Sequence, residues 1–271
     1  MTTSTVELND GRHLPALGFG TYLLAPGSTT RDAVRTALDA GYRHLDTATV
    51  YGNEQDVGAA VRDSGLDRED VWITTKLWNA DHARPLAALE TSLAKLGVDS
   101  VDLWLMHWPV RHRLDSWKAM VRAREEGLAR SIGVSNFLTP HLTELAANSD
   151  VVPAVNQIEL SPFLYTTRED TIRACRDAGI AIEAYSPLTK GARLQHPALA
   201  EVAAHHGVTP AQVLLRWSLQ RDFIPLPRSQ NPGRIRANAD VDGFTLTAEE
   251  LRLLDALDEG LTTGWDPAGA N

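Results

Sequence analysis

A chain of 271 residues, 43% hydrophobic and 23% charged, has ordinary globular composition and room for one large core, which excludes disordered and fibrous classes. Its net charge of -9, with no run of five or more Lys and Arg, argues against a nucleic-acid surface. The single cysteine, Cys175, excludes an intrachain disulfide and fits a reducing compartment.

The N-terminal residues Met1-Thr2-Thr3-Ser4-Thr5 show no basic region leading into an apolar stretch, and no apolar run approaches the ~18 residues of a membrane span. A cytoplasmic protein without membrane contact is expected. Val6–Leu8 and His13–Pro15 flank Asn9-Asp10-Gly11, a strong hairpin signal. Strands then follow at Leu17–Gly20, His44–Thr47, Val71–Lys76, Val101–His107, Ser131–Ser135, Ala154–Leu160, Ala181–Tyr185 and Phe223–Pro227. Helical patterns lie between them. Starts are expected at Thr30, Thr139-Pro140 and Thr209-Pro210, with Thr as the cap, and a further helix over Asp170–Ala178 carries Cys175. Gly41, Gly97, Gly127 and Gly179 stand where a helix hands over to a strand. Eight strands alternating with helices predict an α/β fold, a (β/α)8 TIM barrel with the N-terminal β-hairpin closing the bottom, as one domain over residues 1–271.

In such a barrel, polar residues at the C-terminal strand ends face the active-site mouth. Asp46, Lys76, His107, Ser135, Asn136, Tyr185 and Ser186 occupy those positions, and Gln157 lies within the sixth strand. A lysine closing the buried run Val71–Thr75 needs a partner, and Asp46 on the neighbouring strand is the natural one. That pair has two readings, a rim salt bridge or part of a reaction centre. Tyr51, in the loop after Asp46, favours the second reading if Lys76 lies beside it. The cation should then lower the phenol pKa and let Tyr51 act as a general acid, with His107 holding a carbonyl oxygen. A metal-dependent hydrolase is the rival. Its signal is weak, because the first strand closes on Gly18-Phe19-Gly20-Thr21 without His-x-His, and His205 and His206 read as surface residues rather than ligands.

The ordered set Gly18–Thr21, Gly41–Ala48 with Tyr51–Glu54, Thr75–Trp78, Leu105–Pro109, Ile132–Phe137, Asn156–Glu159, Ala184–Leu188, Pro227–Ser229, Arg234-Ile235 and Asn238 resembles the aldo-keto reductases, in particular short bacterial forms similar to 2,5-diketo-gluconate reductases. The resemblance spans nearly the whole chain. It implies an NADPH-dependent oxidoreductase that reduces small aldehydes, α-dicarbonyls or keto-sugars, with Asp46, Tyr51, Lys76 and His107 catalytic, Tyr51 as proton donor, and no metal. It also implies a cofactor site of Gly20, Thr21, Asp46, Ser135, Asn136, Gln157, Tyr185, Ser186, Leu188, Arg228, Ser229, Arg234 and Asn238. Ser135, Asn136 and Gln157 would hold the carboxamide, Tyr185 would stack on the ring, and Arg228 and Arg234 would read the 2′-phosphate. The chain departs from the family pattern at Arg228, where Lys is usual, and at Ala237, where Glu is usual, which removes an adenine contact. Short segments after His107 and Tyr185 leave an open pocket walled by Tyr22, Trp78, His107 and Trp108. A monomer acting on a small carbonyl substrate is expected, with a cofactor-binding protein of little turnover as the alternative.

Overall fold

The computed structural model describes residues 4–265 and 267–269. The hairpin pairs β1 (Thr5–Glu7) with β2 (His13–Pro15) in antiparallel register. The chain then alternates: β3 (Phe19–Gly20), α1 (Ser28–Asp39), β4 (His44–Asp46), α2 (Glu54–Arg62), β5 (Trp72–Leu77), α3 (Pro85–Leu96), β6 (Val101–Met106), α4 (Arg113–Glu125), β7 (Ala129–Ser135) and α5 (Thr139–Asn148). It continues with β8 (Val155–Glu159), α6 (Glu169–Asp177), β9 (Ala181–Tyr185), α7 (Pro197–His206), α8 (Pro210–Gln220), β10 (Phe223–Leu226), α9 (Pro232–Ala239) and α10 (Ala248–Asp255). Strands β3 to β10 form one parallel sheet in sequence order. The ring closes where Gly18 and Gly20 donate their N–H groups to the carbonyls of Pro225 and Pro227, at 3.1 and 3.0 Å. The fold is therefore the expected (β/α)8 barrel with its N-terminal hairpin.

Two helix starts differ from expectation. Thr30 is the third residue of α1 rather than its cap, and its hydroxyl donates to the Ala25 carbonyl at 2.7 Å. Thr139 lies inside the first turn of α5, where the side chain that reaches back is His141, whose Nδ1 accepts the Leu138 N–H at 3.1 Å. A local pattern shows that a helix begins nearby, but which donor captures the free N–H groups depends on the side chain within reach. At α8 the expectation holds, with Thr209 and Gln212 capping each other reciprocally.

Apolar faces of the helices pack on the outside of the sheet in one continuous core. A second cluster fills the bottom of the barrel, where Leu8 and Leu14 of the hairpin meet Trp72, Leu103, Leu105, Ala154, Val155 and Ile224. Polar ties fix this plug. Asn9 donates to the Pro153 carbonyl at 2.9 Å, and Ser131 donates to Asp10 at 2.6 Å. Close backbone approach needs glycine at Gly133 on β7, where a Cβ would lie 2.5 Å from the Val155 carbonyl oxygen. Among the described residues, no helix is long and apolar enough to cross a membrane.

Candidate active site

Adjacent parallel strands put their C-terminal residues on one rim, so β4, β5 and the position just past the end of β6 deliver Asp46, Lys76 and His107 together. Lys76 is fully buried. Its ammonium donates to both Asp46 oxygens at 2.7 Å and to the Thr47 carbonyl at 2.9 Å, and it lies 3.3 Å from the Tyr51 hydroxyl. Burying a lysine is tolerable only with such a complete set of acceptors. A 3-10 turn over Thr49–Tyr51 swings Tyr51 back over the rim, held by Thr49 donating to the Lys76 carbonyl at 2.9 Å.

One electrostatic expectation is corrected. Burial pushes the Tyr51 phenol well above its ordinary value, and the Asp46 carboxylate adds to the shift. The Lys76 ammonium 3.3 Å away does not reverse the shift, because loss of water around the phenol and the carboxylate beside it weigh more. The phenol keeps its proton. Burial and the Lys76 charge together hold His107 well below the usual histidine range, so its ring is neutral. The Tyr51 and His107 rings meet edge to face at 5.7 Å, and Trp78 meets His107 edge to face at 5.2 Å.

Next to these four lies a polar cradle. Ser135 donates to the Gln157 carbonyl at 2.9 Å. Asn136, in a left-handed conformation, donates to the His107 carbonyl at 2.9 Å and to Ser135 Oγ at 3.1 Å, while its own Oδ1 accepts from the Tyr185 hydroxyl at 2.9 Å. Gln157 Nε2 donates to Asp46 Oδ2 at 2.8 Å and to Glu183 Oε2 at 2.7 Å. The side-chain N–H groups of both amides are spent, and the capacity left, on Gln157 Oε1 and the second lone pair of Asn136 Oδ1, is acceptor only. Such a cradle fits a ligand that presents an NH2 group.

The other sequence-derived residues fall around this centre, with some doing different work. Thr21 donates to the Asp46 carbonyl at 2.9 Å and so ties β3 to β4. Gly20 runs close to the Leu226 carbonyl, where a Cβ would stand 3.2 Å away. Ser186 and Leu188 lie half-buried in the turn after β9. Arg228 donates to the carbonyls of Tyr22 and Leu23 at 3.0 and 3.1 Å, so much of its guanidinium braces the loop after β3. Ser229 Oγ accepts the Asn231 N–H at 3.1 Å, and Asn231 caps α9 by accepting the Arg234 N–H at 3.0 Å. Arg234 is exposed on that first turn and Asn238 is buried further along the same helix.

Tyr22 packs against Tyr51 with ring centroids 5.0 Å apart and planes tilted by 49°, and Trp108 meets Trp265 at 5.6 Å. Trp265 was not anticipated. It sits on the C-terminal segment, which Glu159 pins by accepting the Thr263 N–H at 2.7 Å and the Gly264 N–H at 3.3 Å. No periodic signal marks that tail. Glu183 and His44 were also missed, although a charge inside the apolar run Ala181–Tyr185 is the same signal that marked Lys76. Both oxygens of Asp46 are already engaged, which leaves it a poor metal ligand. Among the described residues, the group of His, Cys, Asp and Glu side chains close enough to share an ion is His205, His206 and Glu250, on the outer helices α7 and α10.

The aldo/keto reductase family model matches residues 16–259. An aldo-keto reductase of Mycobacterium sp. strain KMS is 46% identical, with 100% of this chain and 99% of the relative covered. The crystal structure of an aldo/keto reductase from Brucella melitensis is 44% identical and superposes with a TM-score of 0.89 over 94% of this chain and 99% of that one. The Bombyx mori aldo-keto reductase in complex with NADP is 36% identical, with a TM-score of 0.90 over 97% and 95%. With the barrel and its polar rim, these matches show that the chain belongs to the aldo/keto reductase family, oxidoreductases that act on carbonyl compounds with a nicotinamide cofactor.

Proposed function

We propose that this protein reduces small aldehydes, α-dicarbonyls or keto-sugars to alcohols with NADPH, Tyr51 giving the proton. The observation that carries the reading is the contact of the buried Lys76 ammonium with Tyr51 beside a neutral His107. Bound NADPH would supply the hydride. Tyr51 and His107 converge on one wall of the cleft, where a substrate carbonyl oxygen can accept from both. The raised phenol pKa keeps the proton on Tyr51 until charge develops on that oxygen, and Lys76 then stabilises the phenolate that is left. Asp46 holds Lys76 in place through both carboxylate oxygens. The acceptor-only cradle of Asn136 and Gln157, with Tyr185 beside it, would hold the carboxamide NH2 of the cofactor.

NADPH over NADH rests on α9, where Arg234 stands exposed at a helix N-terminus of the kind that receives phosphate. The Bombyx mori relative was solved with NADP. An open substrate site follows from the short connections after β6 and β9, walled by Tyr22, Trp78, Trp108 and Trp265. NADPH consumption assayed across short aldehydes, α-dicarbonyls, keto-sugars and steroids tests the reading. The specificity constant should be larger for the small carbonyls, and a preference for steroids, or no turnover with any of them, would overturn it.

A further inference from the structure

Gln157 Nε2 has two N–H bonds, and each meets a different carboxyl group: Asp46 at 2.8 Å and Glu183 at 2.7 Å. The terminal torsion of a glutamine is broad, so one hydrogen bond to Asp46 leaves the amide plane loosely set. Two acceptors on the same nitrogen define that plane, and with it the direction of Oε1. Asp46 is claimed by Lys76 and carries the charge, whereas Glu183 is fully buried beside it. Its Oε1 has no hydrogen-bond partner and lies 3.6 Å from His44 Nε2. A second anion there would be uncompensated, so Glu183 acts as a neutral acid whose carbonyl oxygen accepts from Gln157. Burial, then the Asp46 charge, push its pKa up to about 8, in agreement with that assignment.

We propose that Glu183 is a positioning residue for the nicotinamide carboxamide. By taking the second N–H of Gln157 it aims Gln157 Oε1 into the cleft, where it accepts from a carboxamide NH2 and so favours pyridine dinucleotides that carry that group. This rests on the reading that the nicotinamide lies against Gln157, and the test separates the two. Dissociation constants are measured for NADPH and for the reduced 3-acetylpyridine analogue, whose acetyl group has no N–H to offer. In Glu183→Met, similar in size but with no oxygen, NADPH should bind about 10-fold more weakly while the analogue changes about 2-fold or less. Glu183→Gln keeps an acceptor and should restore the ratio. Equal weakening of both cofactors in Glu183→Met would overturn the role of Glu183. If Gln157→Leu leaves the ratio unchanged, the placement of the carboxamide itself is wrong. Should Glu183→Met not fold, the side-chain amide of Gln157 in 15N-labelled wild-type protein decides. Its resonance should shift as Glu183 titrates, and a resonance unmoved through that range would overturn the contact.

Discussion

Tyr51 and Lys76 illustrate how burial redirects a chemical expectation. An isolated cation beside a phenol should depress the phenol pKa, but here the hydroxyl is out of water and the Asp46 carboxylate stands close by, so the phenol is held protonated. What Lys76 can still do is stabilise the phenolate at the moment of proton transfer. Tyr51→Phe should therefore lower kcat by about 10² or more while NADPH affinity changes little. Lys76→Met should also lower kcat, and it should destabilise the fold, because Asp46 would be left as a buried unpaired charge at a cost of roughly 3 to 5 kcal/mol. Single-turnover rates together with denaturant midpoints separate the two effects. Near-normal turnover in Tyr51→Phe would remove it as the proton donor.

At the scale of elements, contacts between helices and loops set the cofactor cleft and the wall of the barrel. The N-terminus of α9, with Asn231 as its cap and Arg234 exposed on its first turn, is the candidate 2′-phosphate site. Arg234→Ala should weaken NADPH by about 10-fold or more and leave NADH nearly unchanged, since a charge-assisted hydrogen bond contributes about 1.5 to 3 kcal/mol. Titrating both cofactors at two salt concentrations checks this, and the gap between them should narrow as salt rises. Arg228→Ala should instead loosen the loop carrying Tyr22, because two of its donors go to that backbone. On the outer layer, Gly58 of α2 lies so close to the end of α3 that a Cβ would stand 1.9 Å from the Leu96 carbonyl oxygen. Gly58→Ala should force the helices apart and cost about 1 to 3 kcal/mol or more, measurable by chemical denaturation. A neutral effect would mean that α2 and α3 slide freely.

For the whole molecule, the buried acid and histidine inside the barrel make stability depend on pH in opposite senses. Glu183 has a folded pKa of about 8 against an ordinary 4.5, so between those values the folded chain keeps a proton that the unfolded chain releases. Its contribution is fully present below 4.5 and is lost as pH rises to 8, by up to about 1.4 kcal/mol per pH unit. His44, pushed down to about 3 from 6.5 by burial and Lys76, works the other way, its contribution being lost as pH falls through that window. The two oppose each other between 4.5 and 6.5, and Glu183 alone acts from 6.5 to 8. Glu183→Gln, neutral throughout, should gain stability relative to wild type as pH rises from 4.5 to 8. Urea denaturation across that range reads the difference, and a constant difference would show Glu183 already ionised in the folded protein.

The same contrast separates what the chain declares locally from what folding decides. Periodic apolar runs, Asn9-Asp10-Gly11 and helix-ending glycines were enough to place eight strands, the hairpin and the rim residues Asp46, Lys76 and His107, because periodicity and turn chemistry are short-range properties. Tyr51 was legible once a lysine was expected beside it. Four features were not. The direction of the Tyr51 shift, the bracing role of Arg228, the capture of the C-terminal tail by Glu159, and the Glu183–Gln157–Asp46 chain all depend on burial or on partners far apart in sequence. Residue type and spacing show which groups are able to hydrogen-bond. Which acceptor takes which N–H, and whether burial outweighs a neighbouring charge, is settled only when distant strands close into a barrel that shuts out water.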